Sequence, residues 1–99
     1  MKVRVFFCRE PDPESIFKGS KISRQALDTV YDLVWESEFK NILNVGRVWI
    51  KFLEEERPFG TPLKEKKSHP RITRGDIIQI GSYYYMVDLV GGKEVEIID

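Results

Sequence analysis

The chain opens on alternation. Lys2-Val3-Arg4-Val5-Phe6-Phe7-Cys8 sends Val3, Val5 and Phe7 to one face and Lys2, Arg4 and Phe6 to the other, which predicts a strand over residues 2–8. It ends at Arg9-Glu10-Pro11-Asp12-Pro13-Glu14, where two prolines cannot donate to a ladder and so mark a loop. Ile16 and Phe17 can pin that loop to the body before Lys18-Gly19-Ser20 turns the chain again. The period then changes. Ala26, Leu27, Val30, Tyr31 and Val34 recur at helical spacing behind Ser23, a suitable N-cap, and Leu33, Trp35, Phe39, Ile42 and Leu43 widen the apolar surface. Ser37 and Glu38 fall on the face such a helix would bury. The pattern therefore predicts a bend near Ser37, a second helical segment through about Leu43, and a stop at Asn44-Val45-Gly46.

Residues 47–53 are rich in β-branched and aromatic side chains with partial alternation, and predict a second strand. A charged stretch from Glu54 to Pro62 and a basic one from Lys64 to Arg74 form a long loop near 54–74, and loops of that length are often functional. Asp76–Ile80 and Tyr83–Val90 are joined by Gly81-Ser82, a two-residue hairpin signal that sets Ile80 opposite Tyr83, Ile78 opposite Tyr85 and Ile77 opposite Met86. Gly91-Gly92, taken as a second tight turn, leads into Lys93–Ile98 and sets Met86 opposite Ile97. One face of this meander then holds Ile77, Met86, Val95 and Ile97. The other holds Ile78, Ile80, Tyr83, Tyr85, Val87, Leu89 and Ile98. Both are too apolar for a sheet with one side in water, so either the chain covers both or a second molecule covers one. The fold expected is α+β: a single domain over residues 1–99, with a mostly antiparallel sheet of about five strands packed on one main helix.

Composition narrows the function classes. The 16 basic and 16 acidic residues cancel, which removes any general pull toward nucleic acid or membrane while permitting local patches. No apolar run is long enough to span a bilayer, and the alternating opening is not a signal peptide. A single cysteine offers no internal disulfide, so reducing cytoplasm is the expected compartment, with Cys8 a small buried hydrophobe. Charged residues make up 32% of the chain while asparagine and glutamine occur only twice each, a balance that leans toward heat.

Catalysis finds little footing. His69 is the only histidine and sits between Ser68 and Pro70 in a loop, so it reads as a surface or hydrogen-bonded residue. Zinc would want more cysteine and histidine, and the alternating Glu10, Asp12 and Glu14 lack the glycine and distant glutamate of a calcium loop. Gly91-Gly92 precedes a strand and forms no phosphate loop. No catalytic, cofactor or metal residue is assigned.

Binding is better supported. The apolar surplus makes Trp35, Phe39, Ile78, Ile80, Tyr83, Tyr85 and Leu89 candidates for a protein interface, a homodimer included. The alternative is nucleic acid, contacted by Lys64, Lys66, Lys67, Arg71 and Arg74 with Tyr84 and its neighbouring tyrosines stacking on bases. An enzyme ranks third.

Two resemblances add to this. Gly75-Asp76-Ile77-Ile78-Gln79-Ile80-Gly81 with Tyr84-Tyr85-Met86-Val87 resembles the strand-entry pattern of small β-barrel modules such as PUA-like domains, and carries no binding residues with it. Through Met1–Phe7, Val45–Glu56 and His69–Ile80, the chain is also similar to small orphan proteins of filamentous viruses that infect hyperthermophilic archaea, the Acidianus filamentous viruses in particular. That resemblance implies work inside an infected host cell and carries no catalytic residues with it; joined to the apolar surplus, it gives the expectation of a non-enzymatic viral accessory or regulatory protein that acts through protein contacts in the host cytoplasm.

Overall fold

The opening alternation forms β1 (Lys2–Cys8), with Val3, Val5 and Phe7 wholly buried. The computed structural model describes residues 1–10, 12, 17–41, 44–64, 69–88 and 91–99. Ile16, Ile42 and Leu43, and the prolines of the 9–14 loop, lie outside the described residues.

The strongest departure from expectation begins after Ser23. Ser23 does cap a helix, its Oγ accepting from Ala26 N at 3.1 Å, but α1 (Arg24–Val30) is short. The chain is extended by Tyr31 and continues as β3 (Tyr31–Glu38), following β2 (Lys21–Ser23) in chain order. The expected long helix with a bend at Ser37 is thus a helix followed by a strand. A bulge explains the misleading spacing. β3 pairs antiparallel with β1, and between Val5↔Trp35 and Phe6↔Leu33 the ladder skips Val34. The extra residue lets Val34 and Trp35 both reach the core, which breaks the two-residue period and imitates a helical one. Cross-strand charge supports the register: Arg4 Nε lies 2.6 Å from Glu36 Oε2, and Arg9 Nε lies 3.7 Å from Asp32 Oδ2.

The expected strand at 47–53 is a helix. In α2 (Val45–Glu54), Val48 and Phe52 are buried one turn apart and Val45 and Trp49 pack beside them. Asn44 starts this helix instead of ending one, its side-chain oxygen accepting from Gly46 N at 2.7 Å. Asn44→Ala should cost about 1 kcal/mol. In a domain of this size that lowers the thermal midpoint by about 4–8 °C, readable by circular dichroism.

The first hairpin forms as expected. β4 (Ile77–Ile80) and β5 (Tyr83–Asp88) pair as Ile80↔Tyr83, Ile78↔Tyr85 and Ile77↔Met86, with Gly81 at φ 61 opening the turn. The second does not. Gly91 and Gly92 belong to β6 (Gly91–Ile98) and pair with Asp88 and Val87, so Met86 faces Lys93 and not Ile97. Gly92 serves a close approach: a Cβ there would lie 2.8 Å from Val45 Cγ2 of α2. The slip is an even number of residues, so each described side chain of β5 and β6 keeps its expected face.

The result is a mixed six-stranded sheet in the order β2-β6-β5-β4-β1-β3, with β2 parallel to β6 and every other pair antiparallel. α2 covers one face over Val3, Val5, Phe7, Trp35, Ile78, Ile80 and Val87. α1 covers the other, where Leu27 meets Cys8, Ile22, Tyr31 and Ile77. The α+β architecture stands, and the six strands and two α-helices among the described residues are close to the expected five or so strands and one main helix. No helix among the described residues is long and apolar enough to cross a membrane.

The described part of the 54–74 loop is docked. Trp35 Nε1 donates to Thr61 O at 3.0 Å and Lys64 N to Val34 O at 2.8 Å, so this segment covers part of the outer edge of β3. Phe59 and Leu63 anchor it to the core, and Ile72 is buried within it.

Candidate functional site

Asp76 is the fully buried charged side chain among the described residues (0% exposed). It sits just before β4, and its carbonyl accepts from Val87 N at 2.7 Å. Its Oδ1 accepts from Cys8 N at 2.8 Å, while Oδ2 accepts from Thr73 N and His69 Nε2, each at 2.8 Å. The His69 ring stacks on Phe7 with centroids 4.3 Å apart. Beside this carboxylate, Tyr31 donates its hydroxyl to Gly75 O at 2.6 Å. Burial pushes the Asp76 carboxyl above its ordinary 3.8, against the pull of the Cys8, His69 and Thr73 donors.

The cluster has the residue types of a nucleophilic site but not its geometry. Burial raises the Cys8 thiol, which keeps it protonated, and raises the Tyr31 hydroxyl far out of the working range. Successive side chains of a strand point to opposite faces, so β1 itself separates the Cys8 thiol from the histidine stacked on Phe7. Asp76 instead clamps the end of β1 to the 69–76 loop and to the β4–β5 pair. His69 is a hydrogen-bonded loop histidine. Among the described residues, no three of His, Cys, Asp and Glu gather as a metal site.

The basic segment is dispersed. Arg71 Nη1 donates to Leu53 O at the end of α2, 3.2 Å away, and Arg74 Nε lies 3.7 Å from Asp88 Oδ1 at the end of β5. Lys64 runs along the β3 edge, within electrostatic reach of Glu36. Tyr84 lies on the α1 side, its ring centroid 6.0 Å from the Arg24 guanidinium. Of the expected nucleic-acid contacts, Lys64 thus lies along β3, Arg71 at the end of α2, Arg74 at the end of β5 and Tyr84 on the α1 side, while Lys66 and Lys67 lie outside the described residues.

The expected interface residues are mostly core. Trp35, Ile78 and Ile80 are buried under α2, and Phe39 and Tyr85 are half-buried against the same cluster. The sheet face that seemed to need a second molecule is filled by residues 45–54, which the sequence pattern assigned to a strand. Tyr83 is open (57% exposed) at the Gly81-Ser82 turn, and Leu89 lies outside the described residues. Met1 and Ile98 are exposed as well, and two more large apolar side chains share one helix. On the outer side of α2, Ile50 is 48% and Leu53 42% exposed, with Gly46 a turn before and exposed Arg47 and Glu54 alongside.

The chain matches no family model, no curated protein and no solved structure.

Sequence reasoning missed α2's outer face because residues 47–53 looked like a strand. Treated as a helix, the same residues carry a signal. Val45, Val48, Trp49, Ile50, Phe52 and Leu53 spread well beyond the ~100° stripe that covering a sheet requires. The core takes Val48 and Phe52 completely and Val45 and Trp49 in part. Ile50 and Leu53 are the excess.

Proposed function

We propose that this protein is a non-enzymatic accessory or regulatory protein that acts through protein–protein contacts, with the outer face of α2 as its contact surface. The observation that carries this is the pair Ile50 and Leu53, large aliphatic side chains left 48% and 42% exposed on a rigid helix whose inner face is firmly packed. Helix faces of this kind are read by partners as apolar anchors one turn apart. The Asp76 cluster supports the reading from the other side: its polar groups are spent on holding the sheet together. On the resemblance noted above, the role would be carried out in the cytoplasm of an infected host.

Position-dependent cross-linking tests it. A photoreactive side chain in place of Ile50 should give protein adducts in the native cell, and the same group at Lys93, exposed on the α1 side, should not. No adduct from position 50, or equal yields from both, would count against the surface. Nucleic-acid binding has less support, because Arg71 and Arg74 of the basic segment are engaged by Leu53 O and Asp88. Salt-dependent binding of DNA or RNA at micromolar protein would bring it forward.

A further inference from the structure

We propose that the occupant of α2's outer face is a second copy of this chain, its α2 packed antiparallel across a twofold axis near Ile50. The inference rests on the reading of α2 as a contact surface and adds the partner and its orientation.

The charges at the two ends of the helix carry it. A helix favours anions at its N-terminus and cations at its C-terminus. On its exposed side α2's own residues have the reverse arrangement, although Arg71 of the 69–76 loop donates to Leu53 O at its C-terminal end. Its first turn holds no acidic residue and carries Arg47, and its last residue is Glu54; the basic residue of the last turn, Lys51, is engaged by Glu55 at 2.8 Å. Arg47 and Glu54 are both exposed, and neither pairs with another described residue. They lie about two turns, roughly 10 Å, apart on one side of the helix. An antiparallel copy corrects both ends together. Each Arg47 comes to the C-terminal end of the partner helix and meets Glu54 there, and each Glu54 comes to an N-terminal end.

A parallel copy would set arginine against arginine and glutamate against glutamate, so the pattern selects one orientation. Shape agrees with charge. A twofold axis that pairs Arg47 with Glu54 also brings Ile50 against its own copy and sets Leu53 opposite Gly46, which has no side chain of its own and lies beside the Asn44 carboxamide. The three pairings share one centre to within a residue of Ile50. Such an interface is isologous and therefore closed, which gives a dimer and not a fibre. One helix pair is a small contact, so the dimer should be reversible.

Sedimentation velocity on the full chain, across concentrations up to about 1 mM, tests the proposal with Ile50→Asp, Arg47→Glu, Glu54→Arg and the Arg47→Glu/Glu54→Arg double variant. The wild type should dimerise reversibly. Ile50→Asp sets two carboxylates at the axis and should weaken association at least about 100-fold, with an unchanged circular dichroism spectrum. Each single reversal should raise Kd about tenfold. In dilute monomer the same reversal should raise the thermal midpoint by about 2–5 °C, because it corrects the helix ends. The double variant should return Kd to within about threefold of wild type.

A chain that stays monomeric, a dimer indifferent to Ile50→Asp, or a double variant no tighter than the singles would overturn the proposal. Adducts from position 50 to other proteins in a monomeric chain would overturn the second copy alone and leave the contact surface standing. A monomer without such adducts would remove both.

Discussion

Replacing Asp76 with alanine is expected to cost about 3–5 kcal/mol of folding stability. The carboxylate accepts from Cys8 N, Thr73 N and His69 Nε2, and the Cys8 donor is buried. Alanine removes both acceptor oxygens and leaves all three donors without them, the buried Cys8 N–H included. Against a total of about 5–10 kcal/mol for a domain this small, most of the stability goes, and the thermal midpoint should fall by at least about 15 °C. Asp76→Asn keeps the shape but presents an NH2 to donors, so it should lie between the two. Urea unfolding of the three proteins checks the order. An alanine variant within about 1 kcal/mol of wild type would show that the clamp is not what holds β1 to the 69–76 loop.

The same group sets a pH dependence. Burial raises the folded-state carboxyl above the ordinary 3.8, so the native protein binds this proton more tightly than the unfolded chain does. Its contribution to stability is then fully present below that ordinary value, declines as pH rises through the raised one, and is level above it. Wild type should gain on Asp76→Asn as pH is lowered from 7. Were it to lose ground on acidification, the Cys8, His69 and Thr73 donors would outweigh burial.

Trp35→Ala should cost a comparable amount, about 3–5 kcal/mol. The side chain is almost wholly buried, crosses Phe52 edge-on with ring centroids 5.1 Å apart, and touches Phe39 and Phe59. Its Nε1 also holds Thr61 O at 3.0 Å, and three residues on, Lys64 N donates to Val34 O. Losing the indole therefore leaves a cavity under α2 and releases the segment that covers the β3 edge. Trp35→Phe retains much of the burial and should lose about 1–2 kcal/mol, near the value of the missing hydrogen bond. Hydrogen exchange separates the two effects. The Lys64 amide should lose its protection in both variants, while the β1 amides lose theirs in the alanine variant alone. Equal protection of Lys64 in all three proteins would show that the segment is held by Phe59 and Leu63 without help from the indole.

What was legible in the sequence was what neighbouring residues settle between themselves. β1 follows from a clean two-residue period, and the β4–β5 hairpin from that period plus a glycine able to take φ 61. Ser23 was readable as a cap because a cap acts within one turn. Residues 31–54 were not readable, since two irregularities each imitated the wrong period. The Val34 bulge made a strand look helical, and the wide apolar arc of α2 made a helix look like a strand. Gly92 reads as a turn in the sequence because its actual neighbour, Val45, is far away along the chain. Asp76 passed as the first residue of a strand; only the arrival of Cys8, His69 and Thr73 around it reveals a buried clamp.

By itself, then, the chain determined its α+β class, its first strand, its central hairpin and its surplus of apolar surface. Periodicity and turn chemistry are local, and they carry that much. Only the tertiary structure decided where the surplus went. Ile78, Ile80 and Trp35 went under α2, Leu27 and Ile77 went beneath α1, and Ile50 and Leu53 stayed outside. The reason is physical. Burial depends on which distant elements meet, and a six-stranded sheet joins residues such as Val3 and Ile80 that no spacing along the chain connects.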